Sequence, residues 1–264
     1  MGRRWSRGTG PMAGRAWLQG LAAALSSTAL AGVALASLAG TAAASAPGNV
    51  FVSPSGKATA GGTSCATARY MSIEAAIKAA APGSTVVACP GTYRGQVTVI
   101  KPLTLLGVGA TIDAAGSDNG ITVPVPHTTV EGFTVEGAIG EGILVVGRPG
   151  APVADVTVSG NVVEGNDLGN PTGRPISSSH YRECNASGKV PGDCGEGIHL
   201  MVAVGSVVSG NLVEDNSGGI LVTDEFGPSD HNVIEALAAH GPALRLSKAA
   251  TVVGCAKGST LLAR

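Results

Sequence analysis

From Val97 onward, short runs of alternating apolar and polar residues recur, each bounded by glycine or asparagine. Alternation with period two marks half-buried strands, and the brevity of the runs predicts strands of only a few residues. Two motifs take turns along the chain. One is Gly-Ile followed by an apolar pair: Gly120-Ile-Thr-Val123, Gly142-Ile-Leu-Val145, Gly197-Ile-His-Leu200 and Gly219-Ile-Leu-Val222. The other is Val158-Ser-Gly-Asn-Val-Val-Glu-Gly-Asn166, copied at Val208-Ser-Gly-Asn-Leu-Val-Glu-Asp-Asn216, with a weaker copy at Val130-Glu-Gly-Phe-Thr-Val-Glu-Gly-Ala138.

Ile121 to Ile143 and Ile198 to Ile220 are each 22 residues apart, whereas Ile143 to Ile198 is 55. The second motif locates the surplus of 33: a short insertion of 5 around Gly147 to Ala151, and one of 28 spanning 167–194. With these set aside the period holds. A β-sandwich would supply turns but no fixed period with the same residues at each corner. Short β-branched strands repeating every 22 residues predict an all-β parallel solenoid, a right-handed parallel β-helix of about six coils. Ile143, Val145, Ile198, Leu200, Ile220 and Val222 should form an interior column. Asn161 and Asn211 should stand at one corner, where asparagine tolerates a left-handed backbone and its amide can bond the next coil.

Ser72-Ile-Glu-Ala-Ala-Ile-Lys-Ala-Ala80 has helical spacing instead, with Ser72 as N-cap, Ile73, Ala76, Ile77 and Ala80 on one face, and Pro82-Gly83 as stop. An open solenoid end exposes apolar core, so this helix is expected as its cap.

The N-terminal segment has another character. Arg3, Arg4, Arg7 and Arg15 precede an apolar stretch from Leu18 to Leu38 and the small-residue run Thr41 to Ala46. This is the layout of a secretory signal, so 1–46 is expected to be removed, leaving a secreted protein with no membrane span. The expected division is then 1–46 leader, 47–235 β-helix and 236–264 tail. The chain has 17 basic and 18 acidic residues. Losing those four arginines leaves 13 against 18, a formal net charge of −5. That balance argues against nucleic acid or an anionic membrane as partner. Five cysteines in an exported chain favour pairing, Cys65 with Cys89 and Cys184 with Cys194, and leave Cys255 over. No Cys/His spacing suits structural zinc.

Residues 70–113 resemble the opening coils of the pectin-lyase-like β-helix superfamily, through Ser72-Ile-Glu-Ala-Ala-Ile, Pro82-Gly-Ser-Thr-Val-Val, Cys89-Pro-Gly-Thr-Tyr93 and Lys101-Pro-Leu-Thr-Leu-Leu-Gly107. With the repeats to Glu235, the chain is similar to secreted actinobacterial right-handed β-helix repeat proteins. The resemblance implies a monomer that binds or processes polysaccharide, with lyase or epimerase chemistry and Ca2+ as a candidate cofactor. It transfers no catalytic residue. The glutamines of pectin methylesterases are missing, since Gln96 is the only glutamine after the leader, and neither the polygalacturonase nor the mannuronan epimerase motif occurs. A non-catalytic envelope scaffold or adhesion module, or a maturation factor for an exported enzyme, is the competing expectation.

Solenoid insertions often wall the binding face. The 167–194 insertion carries His180, Tyr181 and Arg182 as candidate substrate contacts, with a Cys184–Cys194 bond tying its second half. It re-enters at Glu196 and His199. His199 alternates with inward Ile198 and Leu200 and is expected to face solvent. The following coil brings Thr223, Asp224 and Glu225, then Asp230 and His231 as further candidate substrate contacts. His199 or His180 would take a proton, Glu196, Asp224 and Glu225 would orient it or bind calcium, and Arg182 would clamp a substrate carboxylate. After Glu235 the Gly-Asn corner is lost and no acidic residue follows, so 236–264 is expected as an irregular cap or a non-native end.

Overall fold

Ile121, Ile143, Ile198 and Ile220 lie side by side on four adjacent parallel strands, Ile121–Val123, Ile143–Val146, Glu196–Met201 and Gly218–Thr223. The computed structural model describes residues 46–56, 62–166, 196–216, 219–224 and 226–235, and the strand backbone at 218, 236–240, 244–246, 251–255 and 261–263. All four isoleucines are 2% exposed or less. Each buried isoleucine contributes roughly 1.5–3 kcal/mol of transfer free energy, so this column is a principal source of stability. Ile143 pairs directly with Ile198, and the 55-residue gap therefore leaves the winding intact.

These strands belong to a seven-stranded parallel sheet; an eleven-stranded sheet and a two-stranded one, Val153–Ala154 with Ala203–Val204, form the other walls. All their ladders are parallel, and the coil is a parallel β-helix of the right hand that parallel crossovers take. Val130, Val158, Val208 and Ile234 stack in the larger sheet as the isoleucines do in the smaller, and both columns join one core. The short insertion is a tight turn closed by reciprocal backbone bonds between Arg148 and Ala151, at 3.0 and 2.8 Å.

Side-chain amides hold the corners. Asn161 donates from Nδ2 to Asn211 Oδ1 at 2.9 Å and to the Val130 carbonyl at 3.1 Å, and accepts the Phe133 N–H at 3.0 Å. Asn166 and Asn216 repeat this one strand further on, at 2.8 Å. The asparagine backbone itself is not left-handed, contrary to expectation. The preceding Gly160 and Gly210 take that conformation, at φ 62° and 61°, since glycine enters it without a Cβ penalty. Asparagine is left free to bond along the stack.

The Gly-Ile motif has a packing cause. A Cβ on Gly142 would lie 2.3 Å from Val163 Cγ1, and one on Gly197 equally close to Val213 Cγ1. The two sheets meet there over a bare backbone. At the same wall Asp113, Glu136, Glu164 and Glu214 share one register position on successive coils, headed by Arg94.

Helix Ile73–Ala79 begins where Ser72 Oγ accepts the Ala75 N–H, and it buries Ile73, Ala76 and Ile77 against the first coils. Lys101 Nζ donates to the Lys78 and Ala80 carbonyls at 2.9 and 2.8 Å, satisfying acceptors at the helix end. Cys65 and Cys89 are disulfide-bonded. Cys184 and Cys194 lie outside the described residues. No helix among the described residues is long and apolar enough to cross a membrane.

Beyond Glu235, where an irregular cap or non-native end was expected, the ladder continues. Val233–His240 pairs with Thr251–Cys255, and Leu244–Leu246 pairs with both Gly218–Thr223 and Leu261–Ala263, all in parallel. Backbone pairing needs no particular corner residue.

Candidate functional site

Four coils enter the seven-stranded sheet through a residue two places before an inward isoleucine. Those residues are Asn119, Glu141, Glu196 and Gly218, and backbone bonds carry the pattern down: Gly120 N–H to the Glu141 carbonyl and Gly142 N–H to that of Glu196, both 3.0 Å. Stacking therefore sets the carboxylates of Glu141 and Glu196 one coil apart. Both are buried, Glu196 to 1% exposure.

His199 completes the group. It lies in register between Leu144 and Leu221 and outside the core cluster that contains Ile198 and Leu200, so its alternation is as expected. It is nevertheless buried, at 7% exposure, where a solvated side chain was anticipated. Its Nδ1 lies 3.2 Å from Glu141 Oε1 and 3.9 Å from Glu196 Oε2, and its Nε2 lies 2.9 Å from Thr223 Oγ1. The Glu141 contact is fully buried and the Thr223 contact only partly so. Above this group the polar chain continues, with the Glu141 N–H donating to Asn119 Oδ1 at 3.2 Å and the Asn119 N–H to Gln96 Oε1 at 3.3 Å.

An imidazole with a carboxylate at one nitrogen and a hydroxyl at the other can hold a fixed tautomer and pass a proton. With Nδ1–H donated to Glu141, Nε2 is the basic atom. Glu141, Glu196 and His199 also each offer one ligand atom within 4.8 Å of the others.

Of the residues singled out in the sequence, Glu196 and His199 meet, with Thr223 beside them. Asp224 follows Thr223 and is exposed. Asp230 and His231 sit elsewhere, at the corner after the two-stranded sheet, where His231 is left-handed at φ 56° and its Nδ1 lies 3.1 Å from Asp230 Oδ1. His180, Tyr181, Arg182 and Glu225 lie outside the described residues. Glu141 was missed. Its signal was present, since Gly140-Glu-Gly-Ile143 repeats as Gly195-Glu-Gly-Ile198, and stacking the two isoleucines stacks the two glutamates.

No protein-family model matches the chain, and no curated protein does. Among solved structures it is similar to pectate lyase Pel9A, at 15% identity and a TM-score of 0.51 over 78% of this chain and 54% of that one. The chain thus spans about half the length of that lyase, and the likeness is one of fold, the right-handed parallel β-helix. An alginate lyase from Paenibacillus sp. str. FPU-7 aligns at 15% identity and a TM-score of 0.38, over 76% of this chain and 67% of that one.

Proposed function

We propose that the chain is an exported β-helix protein that processes an acidic polysaccharide by proton transfer at His199. The observation that carries this reading is the asymmetric seat of the imidazole, with Nδ1 on the buried Glu141 carboxylate and Nε2 on the partly exposed Thr223 side. A fold shared with a pectate lyase and a disulfide suited to an oxidising compartment support it.

In this reading the Nδ1–H bond to Glu141 sets the tautomer and stabilises the imidazolium that forms, as a carboxylate does for a catalytic histidine. Nε2 takes the proton α to a uronate carboxylate. In a lyase the electron pair left on carbon forms the new double bond, the glycosidic C–O bond breaks, and the departing oxygen recovers the proton. In an epimerase the proton returns to the opposite face and no bond to oxygen breaks. Thr223 occupies Nε2 in the resting state and yields to substrate.

The test is incubation with polygalacturonate, alginate and glucuronan, with and without calcium. Unsaturated uronate is followed by absorbance, and solvent deuterium entering the sugar by proton NMR. One of these signals should rise and fall at least 100-fold in His199→Ala. Silence in both assays on every polymer, or full activity in His199→Ala, would sink the reading.

A second reading has its own support. His199 is one link in the polar chain from Gln96 through Asn119 and Glu141 to Thr223, which ties successive coils as the asparagine ladders do. On that reading the protein is a non-catalytic envelope scaffold, and His199→Ala lowers stability while both activity signals stay flat.

A further inference from the structure

We infer that Glu141, Glu196 and His199 form a binding site for a divalent transition metal, with zinc the best-suited ion, which clamps two coils across the 167–194 insertion. This rests on the side-chain cluster and not on the polysaccharide reading.

The donor set is the first ground. Two carboxylate oxygens and an imidazole nitrogen suit zinc and its neighbours, whereas Ca2+ and Mg2+ take oxygen donors almost throughout. Calcium, expected from the resemblance, is therefore not the ion these residues select.

Geometry is the second. Donors on a tetrahedral zinc, each about 2.0–2.2 Å from the metal, lie roughly 3.4 Å from one another. Nδ1 of His199 lies 3.2 and 3.9 Å from its two carboxylate partners, and all three atoms fall within 4.8 Å. Small side-chain shifts close the triangle. A cation at the centre engages both carboxylates and the nitrogen lone pair together.

The surroundings agree. Metal-binding histidines usually give the other ring N–H to an oxygen acceptor that fixes the ring, and Nε2 of His199 faces Thr223 Oγ1 at 2.9 Å. All three donors are buried, and the two glutamates stand one coil apart within reach of a single ion. The ligands also span the chain as a clamp should. Glu141 belongs to the coil before the long insertion, and Glu196 and His199 to the strand that re-enters after it. A metal on Nδ1 obliges Nε2 to carry the proton, so the loaded form cannot use His199 as a base and zinc should inhibit any activity that does.

The full chain, stripped with a chelator, is titrated with zinc, manganese and calcium in the absence of sugar, and bound metal is measured by elemental analysis and calorimetry. The expected result is about one zinc per chain, preferred to calcium, with a raised unfolding midpoint. Affinity should fall about 100-fold in Glu141→Gln and in Glu196→Gln and stay unchanged in Glu164→Gln. Should the glutamine variants not fold, stoichiometric cobalt on the wild-type chain decides, since a visible band of four- or five-coordinate cobalt supports the site and a spectrum of hydrated cobalt overturns it. Zinc that does not bind, or binds as well to both glutamine variants, overturns the inference. Zinc binding together with inactivity of the stripped chain on every polymer would remove only the polysaccharide reading, and activity without zinc binding only this one.

Discussion

His199 meets Glu141 at 3.2 Å although 58 residues separate them, because Glu141 leads into strand Ile143–Val146, the parallel neighbour of the strand that carries His199. The contact arises from stacking, and whatever disturbs stacking should disturb the site.

Ile198→Ala should cost about 3 kcal/mol and Ile198→Val about 1, because Ile198 is fully buried between Ile143 and Ile220 in a column that leaves little room to collapse. Urea unfolding of the two variants checks both values. A cost below about 1 kcal/mol for alanine would mean that this column is not closely packed.

Asn161→Ala removes the acceptor of the Phe133 N–H and two donated bonds at once. Orphaning a buried backbone donor costs roughly 1–3 kcal/mol, so the loss should exceed that of removing an exposed amide severalfold. Hydrogen exchange should also report it locally, as faster exchange at Phe133 than elsewhere in its strand.

Gly197→Ala should destabilise by more than alanine's conformational advantage restores. The new Cβ would come within 2.3 Å of Val213 Cγ1 and 2.8 Å of Asn216 Nδ2. Thermal melts should show a lower midpoint, and Gly197→Ala with Val213→Ala should recover part of it. Additive losses in the pair would place the cause elsewhere.

Burial pushes the Tyr93 hydroxyl from 10.0 up to about 12, while its oxygen lies 2.9 Å from both the Val52 and the Cys89 carbonyls. A folded pKa above the unfolded one contributes stability that is complete below pH 10 and is lost as pH rises through 12, by roughly 3 kcal/mol in all. Unfolding free energy measured from pH 8 to 12 should show this loss, and Tyr93→Phe should flatten that part of the curve.

The winding was legible because a buried parallel strand repeats its inward residues at the coil length, so isoleucines 22 apart declare their register and a misfit gap declares an insertion. Glu196 and His199 were legible as chemistry on a re-entering strand. Glu141 was not, because an isolated glutamate between glycines carries no signal until Ile143 is laid on Ile198. The burial of His199 was also hidden, since alternation distinguishes inner from outer faces but not whether an outer face is covered. Similarly, the Gly-Asn corner disclosed the amide ladder, while the left-handed turn at the glycine needed φ values. Past Glu235 the side-chain signature stops but the backbone ladder does not, and only the signature is written in the residues.

The most direct measurement is a double-mutant cycle on Glu141 and His199, with Glu141→Gln, His199→Gln and the pair unfolded in urea in the presence of chelator. Stacked coils predict a coupling free energy of about 1 kcal/mol or more between these distant positions. Strict additivity would contradict the stacking that brings them together, and with it the site.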